Sequence, residues 1–188
     1  MNTYINCSPK LKNSNSEYFI NLIKNNKDTI NYIYKDNIKN IKENIKNSNN
    51  IIFVYPLYID TIPSKLIEII ENLDSNLLNK KNCYIICNCG FLEPSHNNLS
   101  IKTMENWIAK NNGIFMGYLS IGSGEIIGIT KRNKLLKFFC KDFLKKINKF
   151  KKNLDNNNKV YLTTNIKWLN KKFFCIICNK FFKKRIQN

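Results

Sequence analysis

The run Ile51-Ile52-Phe53-Val54-Tyr55, closed by Pro56, most constrains what this chain can become. Such a stretch offers no polar face to water, so a strand built from it must be covered on both sides. Strands of that kind occur where helices flank a parallel sheet. "CYIICNCG" at 83–90 repeats the pattern and stops at a glycine, and "IFMGYLSIG" at 114–122 repeats it again before "GSGE". Shorter strands are expected at 3–7 and in the β-branched and aromatic "TINYIY" at 29–34.

The segments between them carry the helical period. Phe19, Ile20, Leu22 and Ile23 follow Ser14 and Ser16, either of which can cap a helix. Ile38, Ile41 and Ile45 stand three and four apart, and Leu66, Ile67, Ile70 and Leu73 follow Pro63, which can open a helix at its first turn. Residues 95–111 read as helix, a long basic helix is expected over 131–152, and a last helical stretch near 163–185 follows the polar break "NLDNNNK". Strands alternating with helices predict an α/β fold: a five-stranded parallel sheet in a three-layer sandwich, with an extra basic C-terminal helical segment. The expected division is a domain over 1–155 and a basic helical extension over 156–188 that packs on the domain, a partner or a membrane surface.

The 188 residues, 43% of them apolar, suit one domain with a full core. No run is long and apolar enough to span a membrane, no signal segment opens the chain, and the seven cysteines sit mostly in apolar runs. Reduced thiols in the cytoplasm are the expectation. The net charge of +18 is uneven: residues 1–130 carry 13 basic and 11 acidic side chains, residues 131–188 carry 18 and 2. That basic tail could meet an anionic membrane surface, leaving the protein membrane-peripheral, because Trp168, Phe173, Phe174, Ile177, Phe181 and Phe182 stand among its lysines. The plainer expectation is that the helix near 131–152 packs on the sheet with its lysines in water. Nucleic acid is disfavoured, since no reading motif accompanies the charge.

Ligands of such sheets bind beyond the carboxyl ends of the strands. The unusual residues of this sequence collect there. "INCSPKLKNSNSEYF" at 5–19 holds more hydroxyl and amide side chains than a turn needs, just before a helix whose N-terminus can hold a phosphate. It contains neither of the glycine-rich nucleotide signatures. In "YPLYIDTIPS", Tyr58 could face a flat aromatic ligand. In "CNCGFLEPSHNN", Gly90 allows close backbone approach. Cys87 and Cys89 with His96 lack a fourth metal ligand; they read as thiols on one strand face and a loop histidine. "GSGE" at 122–125 either lines a ligand edge or turns the chain. Cys175 and Cys178 are expected to be buried rather than a redox pair.

Taken in order, these segments resemble the NAD(P)H-dependent FMN reductases of flavodoxin-like fold, in their clostridial-type form. "INCSPKLKNSNS" resembles the family's phosphate loop, "IIFVYPLYIDTIPSKL" its second loop, and "CGFLEPSHNN" and "SIGSGE" its later loops. The likeness covers roughly residues 3–130. It implies that Ser8, Lys10, Ser14, Asn15 and Ser16 surround the FMN phosphate. Pro56, Leu57, Tyr58 and Ile59 would border the ring, and Cys89, Gly90, Phe91 and Glu93 its other side. Cys7 departs from the family's glycine, and Lys10 from its commoner arginine. The implied activity is hydride transfer from NADH or NADPH through bound FMN to a small acceptor such as a quinone or free flavin, with no catalytic side chain and no metal required; a homodimer is compatible. The alternatives are a flavodoxin-like electron carrier, which the basic charge disfavours, and a membrane-surface flavoprotein without turnover.

Overall fold

A computed structural model describes residues 1–74, 76–130, 140–166, 170–176 and 179. Its sheet has six parallel strands in the order β2-β1-β3-β4-β5-β6. They are β1 (Asn2–Asn6), β2 (Thr29–Tyr32), β3 (Asn50–Pro56), β4 (Asn82–Asn88), β5 (Ile114–Ile121) and β6 (Val160–Thr164). The apolar runs fill the centre: Ile51 to Tyr55 and Cys83 to Cys87 are fully buried, because helices cover both faces.

One face is covered by α2 (Ile38–Lys46), α3 (Ser64–Glu71) and α4 (Asn98–Lys110), packed on Ile5, Phe53, Tyr55 and Ile85. The other is covered by α1 (Asn15–Ile23), α5 (Gly124–Thr130) and α6 (Lys141–Asp155), packed on Tyr4, Ile52, Tyr84 and Leu119. The buried residues of α6 are Phe143, Ile147, Phe150 and Leu154, at spacings of four, three and four. Its lysines line the outer side, as expected of a helix lying on a sheet; the start of that basic stretch, 131–139, lies outside the described residues.

The sixth strand corrects the expectation of five followed by helix. Val160 and Thr164 are buried and Tyr161 is exposed, so "VYLTT" alternates as a half-covered edge strand. Its β-branched residues favour this state once Leu119 and Ile121 of β5 offer a ladder to join. Gly117 makes the junction possible. It lies at a bulge in β5, with φ of +122°, and a Cβ there would stand 1.9 Å from the Val160 carbonyl oxygen.

The connection to β6 has an unusual hand. Both α1 and α6 lie on one face, yet β1–α1–β2 steps one way along the sheet and β5–α6–β6 steps the other. The two crossovers are therefore of opposite hand. The crossovers through α2, α3 and α4 run in the opposite direction on the opposite face, and so share the hand of the first. If these four follow the right-handed rule for parallel units, the β6 crossover is left-handed. It carries two helices, α5 and α6, whose apolar sides close the sheet face around Phe19 and Met116.

Cys175 is exposed rather than buried, while Cys178, Trp168, Ile177, Phe181 and Phe182 lie outside the described residues. Among the described residues no helix is long and apolar enough to cross a membrane.

Candidate functional site

The order reverses between β1 and β3, where β1 leads leftward to β2 and the later strands proceed to the right. At such a switch point the loops diverge and leave a crevice beyond the strand ends. A cleft of about 420 Å³ lies there, lined by Ser8, Lys10 and residues 13–16 from one side, Pro56, Leu57 and Tyr58 from a second, and Asn88, Gly90 and Glu125 from a third.

The first wall is shaped by local hydrogen bonding. Asn6 Oδ1 accepts from the Ser8 N–H at 3.1 Å, and Ser8 Oγ accepts from the Lys10 N–H at 3.3 Å. Ser14 then caps α1, its Oγ accepting from the Glu17 N–H at 3.0 Å, while Glu17 reaches back to the Asn13 N–H at 2.8 Å. The first backbone N–H groups of α1, those of Asn15 and Ser16, have no carbonyl of their own helix to bond. The hydroxyl of Ser16 is buried with no hydrogen-bond partner among the described residues. A buried, unpaired hydroxyl at a helix start calls for a polar partner from outside.

Asn15 plays a different part. Its Nδ2 donates to the Gly124 carbonyl at 3.0 Å, and a Cβ on Gly128 would come within 2.0 Å of its Oδ1. Its side chain thus ties the start of α1 to α5, and the residue also lines the cleft. Cys7 is buried under the sheet, its thiol donating to the Ile5 carbonyl; burial pushes its pKa up, so it stays protonated.

The second wall follows β3. The Leu57 N–H donates to the Asn88 carbonyl at 2.7 Å, joining this loop to the third wall. Tyr58 and Thr61 then close a tight turn with bonds of 3.3 and 3.1 Å in both directions. Both central residues, Ile59 and Asp60, have positive φ, +50° and +54°, as a type I′ turn requires. For a β-branched residue this is a strained conformation. The turn leaves the N–H groups of Ile59 and Asp60 without a partner among the described residues. Tyr58 lines the cleft, and burial, then Glu125 and then Tyr34, raise the pKa of its phenol, so it stays neutral.

The third wall differs from the expectation in detail. Alternation at the end of β4 sends Cys87 and Cys89 to the face covered by α2, α3 and α4, while Asn88 and Gly90 line the cleft. Cys89 therefore does not line the cleft. Its thiol points at the Phe91 and Glu93 carbonyls, and burial pushes its pKa up to about 11. Phe91 and Glu93 are exposed and outside the lining, and Phe91 stacks on His96 at 4.2 Å. Ile59 is 98% exposed at the turn tip and is also outside the lining. Asn13, Asn88 and Glu125 join the lining beyond the residues the resemblance named. Strand alternation is the signal that could have found Asn88, and "GSGE" offers Glu125 as a ligand edge.

Glycines let the third wall close. A Cβ on Gly122 would meet the Leu92 carbonyl at 2.4 Å, and one on Gly124 would meet Asn88 Oδ1 at 2.7 Å. Gly90 is the reverse case: nothing stands within 4 Å of where its Cβ would be, so the space beside its backbone is open. A planar group could lie there.

No family model matches the sequence. No curated protein matches it either. Solved structures do match. An NADPH-quinone reductase from P. pentosaceus aligns with a TM-score of 0.61 at 15% identity, over 82% of this chain and 96% of that one. An NADH:FMN oxidoreductase aligns with a TM-score of 0.57 at 11% identity, over 80% and 87%. An FMN-dependent NADH-azoreductase from Bacillus anthracis, solved in complex with FMN, gives 0.54 at 15%, over 81% and 98%. The fold is flavodoxin-like. Its first five strands follow the 2-1-3-4-5 order of that fold, in which FMN sits at the β1/β3 switch point, and β6 extends the sheet by one strand.

The residues of the cleft fit an FMN-sized ligand. The unpaired Ser16 hydroxyl, the first N–H groups of α1 and Lys10 suit a phosphate, and the open space beside Gly90 opposite Tyr58 suits a flat ring.

Proposed function

We propose that this protein binds FMN in the switch-point cleft and oxidises NADH or NADPH, passing the electrons to a small acceptor such as a quinone or free flavin. The observation that carries the reading is the buried, unpaired Ser16 hydroxyl at the start of α1, in a cleft whose opposite end is open beside Gly90. The fold neighbours named as FMN-dependent oxidoreductases support it.

Bound FMN would supply the redox chemistry, accepting a proton and two electrons as hydride from the nicotinamide and giving two electrons to the acceptor. The chain's residues have three tasks. Ser8, Ser14, Ser16, Lys10 and the backbone of Asn15 hold a phosphate with close to two negative charges. Leu57 and Tyr58 wall one side of the ring, Asn88 and Gly90 the other. The N–H groups of Ile59 and Asp60, without a partner among the described residues, are donors available to negative charge on a reduced ring.

The test is binding before turnover. FMN titrated into the purified protein is expected to lose its fluorescence in a saturable way, and Ser16→Ala to weaken that binding about tenfold through loss of a charge-assisted hydrogen bond. NADH or NADPH oxidation with a quinone acceptor should follow FMN occupancy. A protein that releases no flavin when denatured and takes up none when offered would overturn the reading.

A further inference from the structure

A second cleft, of about 490 Å³, opens beside the first. It lies between the end of β2, the start of α2 and the first turns of α3. Its apolar floor is Ile38 and Ile69, Tyr34 stands at its side, and three cations, Lys35, Lys42 and Lys65, line it with two carboxylates, Asp36 and Glu68.

The two clefts have no lining residue in common, but the loops that line them adjoin. The ends of β1 and β2 are joined by the Ile33 N–H donating to the Asn6 carbonyl at 3.1 Å, so the loop bearing Tyr34 lies next to the loop bearing Ser8. Lys65 sits in the first turn of α3, directly after the loop that carries Tyr58. Tyr34 is among the groups that raise the Tyr58 phenol, which places the two rings near each other.

The charges of this cleft are adjustable. Lys35 has no side-chain partner among the described residues. Lys42 pairs with Asp74 at 3.1 Å and Lys65 with Glu68 at 2.6 Å, both at the surface. Exposed pairs of this kind hold their partners weakly, so either ammonium can turn to an incoming anion at little loss. Asp36 is turned toward the backbone, its Oδ2 accepting from the Tyr32 N–H at 2.7 Å, and with Glu68 on Lys65 the three cations still outnumber the two carboxylates.

An apolar floor with an aromatic side and a set of cations suits a flat base joined to phosphates. Resting on the function proposed above, we infer that this second cleft takes the adenosine diphosphate half of the nicotinamide donor, while the nicotinamide half reaches the first cleft over the Tyr34–Tyr58 wall. One two-lobed substrate thereby fills two adjoining clefts.

The probe is ADP, titrated by calorimetry into the FMN-loaded protein, so that the first cleft is already filled. Saturable ADP binding is expected, with adenosine at least tenfold weaker. Lys35→Glu and Tyr34→Ala should each weaken ADP about tenfold and raise the KM for NADH or NADPH by a similar factor. Both should leave FMN affinity unchanged. They should also leave unchanged the KM for reduced nicotinamide mononucleotide, which lacks the adenosine half. Both residues are exposed, and an unaltered thermal transition reports that the variants fold. If the protein binds FMN and oxidises NADH but ADP does not bind, or binds both variants as well as the parent, the inference is overturned and the proposed function stands. Equal rises in KM for the mononucleotide overturn it too. A protein that binds no FMN fails at the earlier step.

Discussion

Ile59 provides a quantitative test of the cleft's second wall. It is a β-branched residue in the left-handed region, at φ of +50°, in a turn whose preferred sequence is Asn-Gly. For L-residues that region costs about 1–2 kcal/mol, and asparagine is among the few that enter it readily. Ile59 is 98% exposed, so replacing it forfeits almost no burial. Ile59→Asn should therefore stabilise the protein by about 1 kcal/mol, which in a chain of this size is about 2–4 °C in Tm. Asparagine is the better choice than glycine, whose extra freedom in the unfolded chain would hide part of the gain. Thermal and urea unfolding followed by circular dichroism measure the change, with Ile59→Val as control because it keeps the branched Cβ. FMN affinity should hold, since the turn and its two free N–H groups are preserved. An unchanged or lower Tm for Ile59→Asn, or an equal gain for Ile59→Val, would refute the reasoning.

Gly90→Ala should leave stability unchanged or raise it by up to about 1 kcal/mol, since the new methyl meets no atom, whereas Gly90→Leu should fold normally yet lose FMN binding in a fluorescence titration. Gly128→Ala must displace Asn15 Oδ1 and break the Asn15–Gly124 bond; about 1 kcal/mol of stability should be lost in urea unfolding, and most of that loss should vanish in an Asn15→Ala background. Gly117→Ala drives a Cβ into the Val160 carbonyl and should cost well above the ~1 kcal/mol of an ordinary substitution, read as a collapse of Tm. Stability should fall above about pH 9. The buried thiols of Cys83 and Cys89, pushed up to about 12 and about 11, hold protons in the fold that the unfolded chain releases from pH 9.0. Their contribution is complete below that pH and fades as pH rises toward the folded values, at about 1.4 kcal/mol per pH unit for each group. Urea midpoints at pH 8 and pH 10.5 check the sign.

The central strands were legible because their burial is written in consecutive apolar residues, and the helices because their isoleucines keep a strict period. The edge strand was not. "VYLTT" is short, stands in a field of lysines, and becomes a strand only because β5 offers it a ladder. The cleft divides the same way. The hydroxyl-rich loop and Tyr58 announce themselves by composition, and the structure brings them together. The third wall depends on which way successive side chains of β4 point. The parity that puts Cys87 and Cys89 on one face also puts Asn88 and Gly90 on the other, so Cys89 could have been excluded and Asn88 included. Phe91 was beyond reach of that parity: it stacks on His96, five residues on.

The sixth strand bears on the site as well as on the sheet. Its last residue, Thr164, accepts from the Gly122 N–H at 2.8 Å, and the next, Asn165, donates its side-chain amide to the Leu92 carbonyl at 3.3 Å. Thr164 Oγ in turn donates to Asp142 at the start of α6. The Cys89 N–H meets the Ile121 carbonyl and the Gly124 N–H meets the Cys89 carbonyl, so the two loops of the third wall are bound to each other. A wall built on loops alone would move, since loops carry few buried contacts. Here the Gly122 N–H and the Leu92 carbonyl are taken up by the end of β6, which braces the loops next to Gly90. The second wall is tied to the third by the Leu57–Asn88 bond and beyond it rests on a strained turn. The cleft is thus hydrogen-bonded to the sheet on the side where Gly90 leaves room for a flat ring and strained on the side where Ile59 and Asp60 keep two N–H groups without a partner among the described residues. Strain that persists at such a place is consistent with a wall selected for what it presents to a ligand rather than for stability.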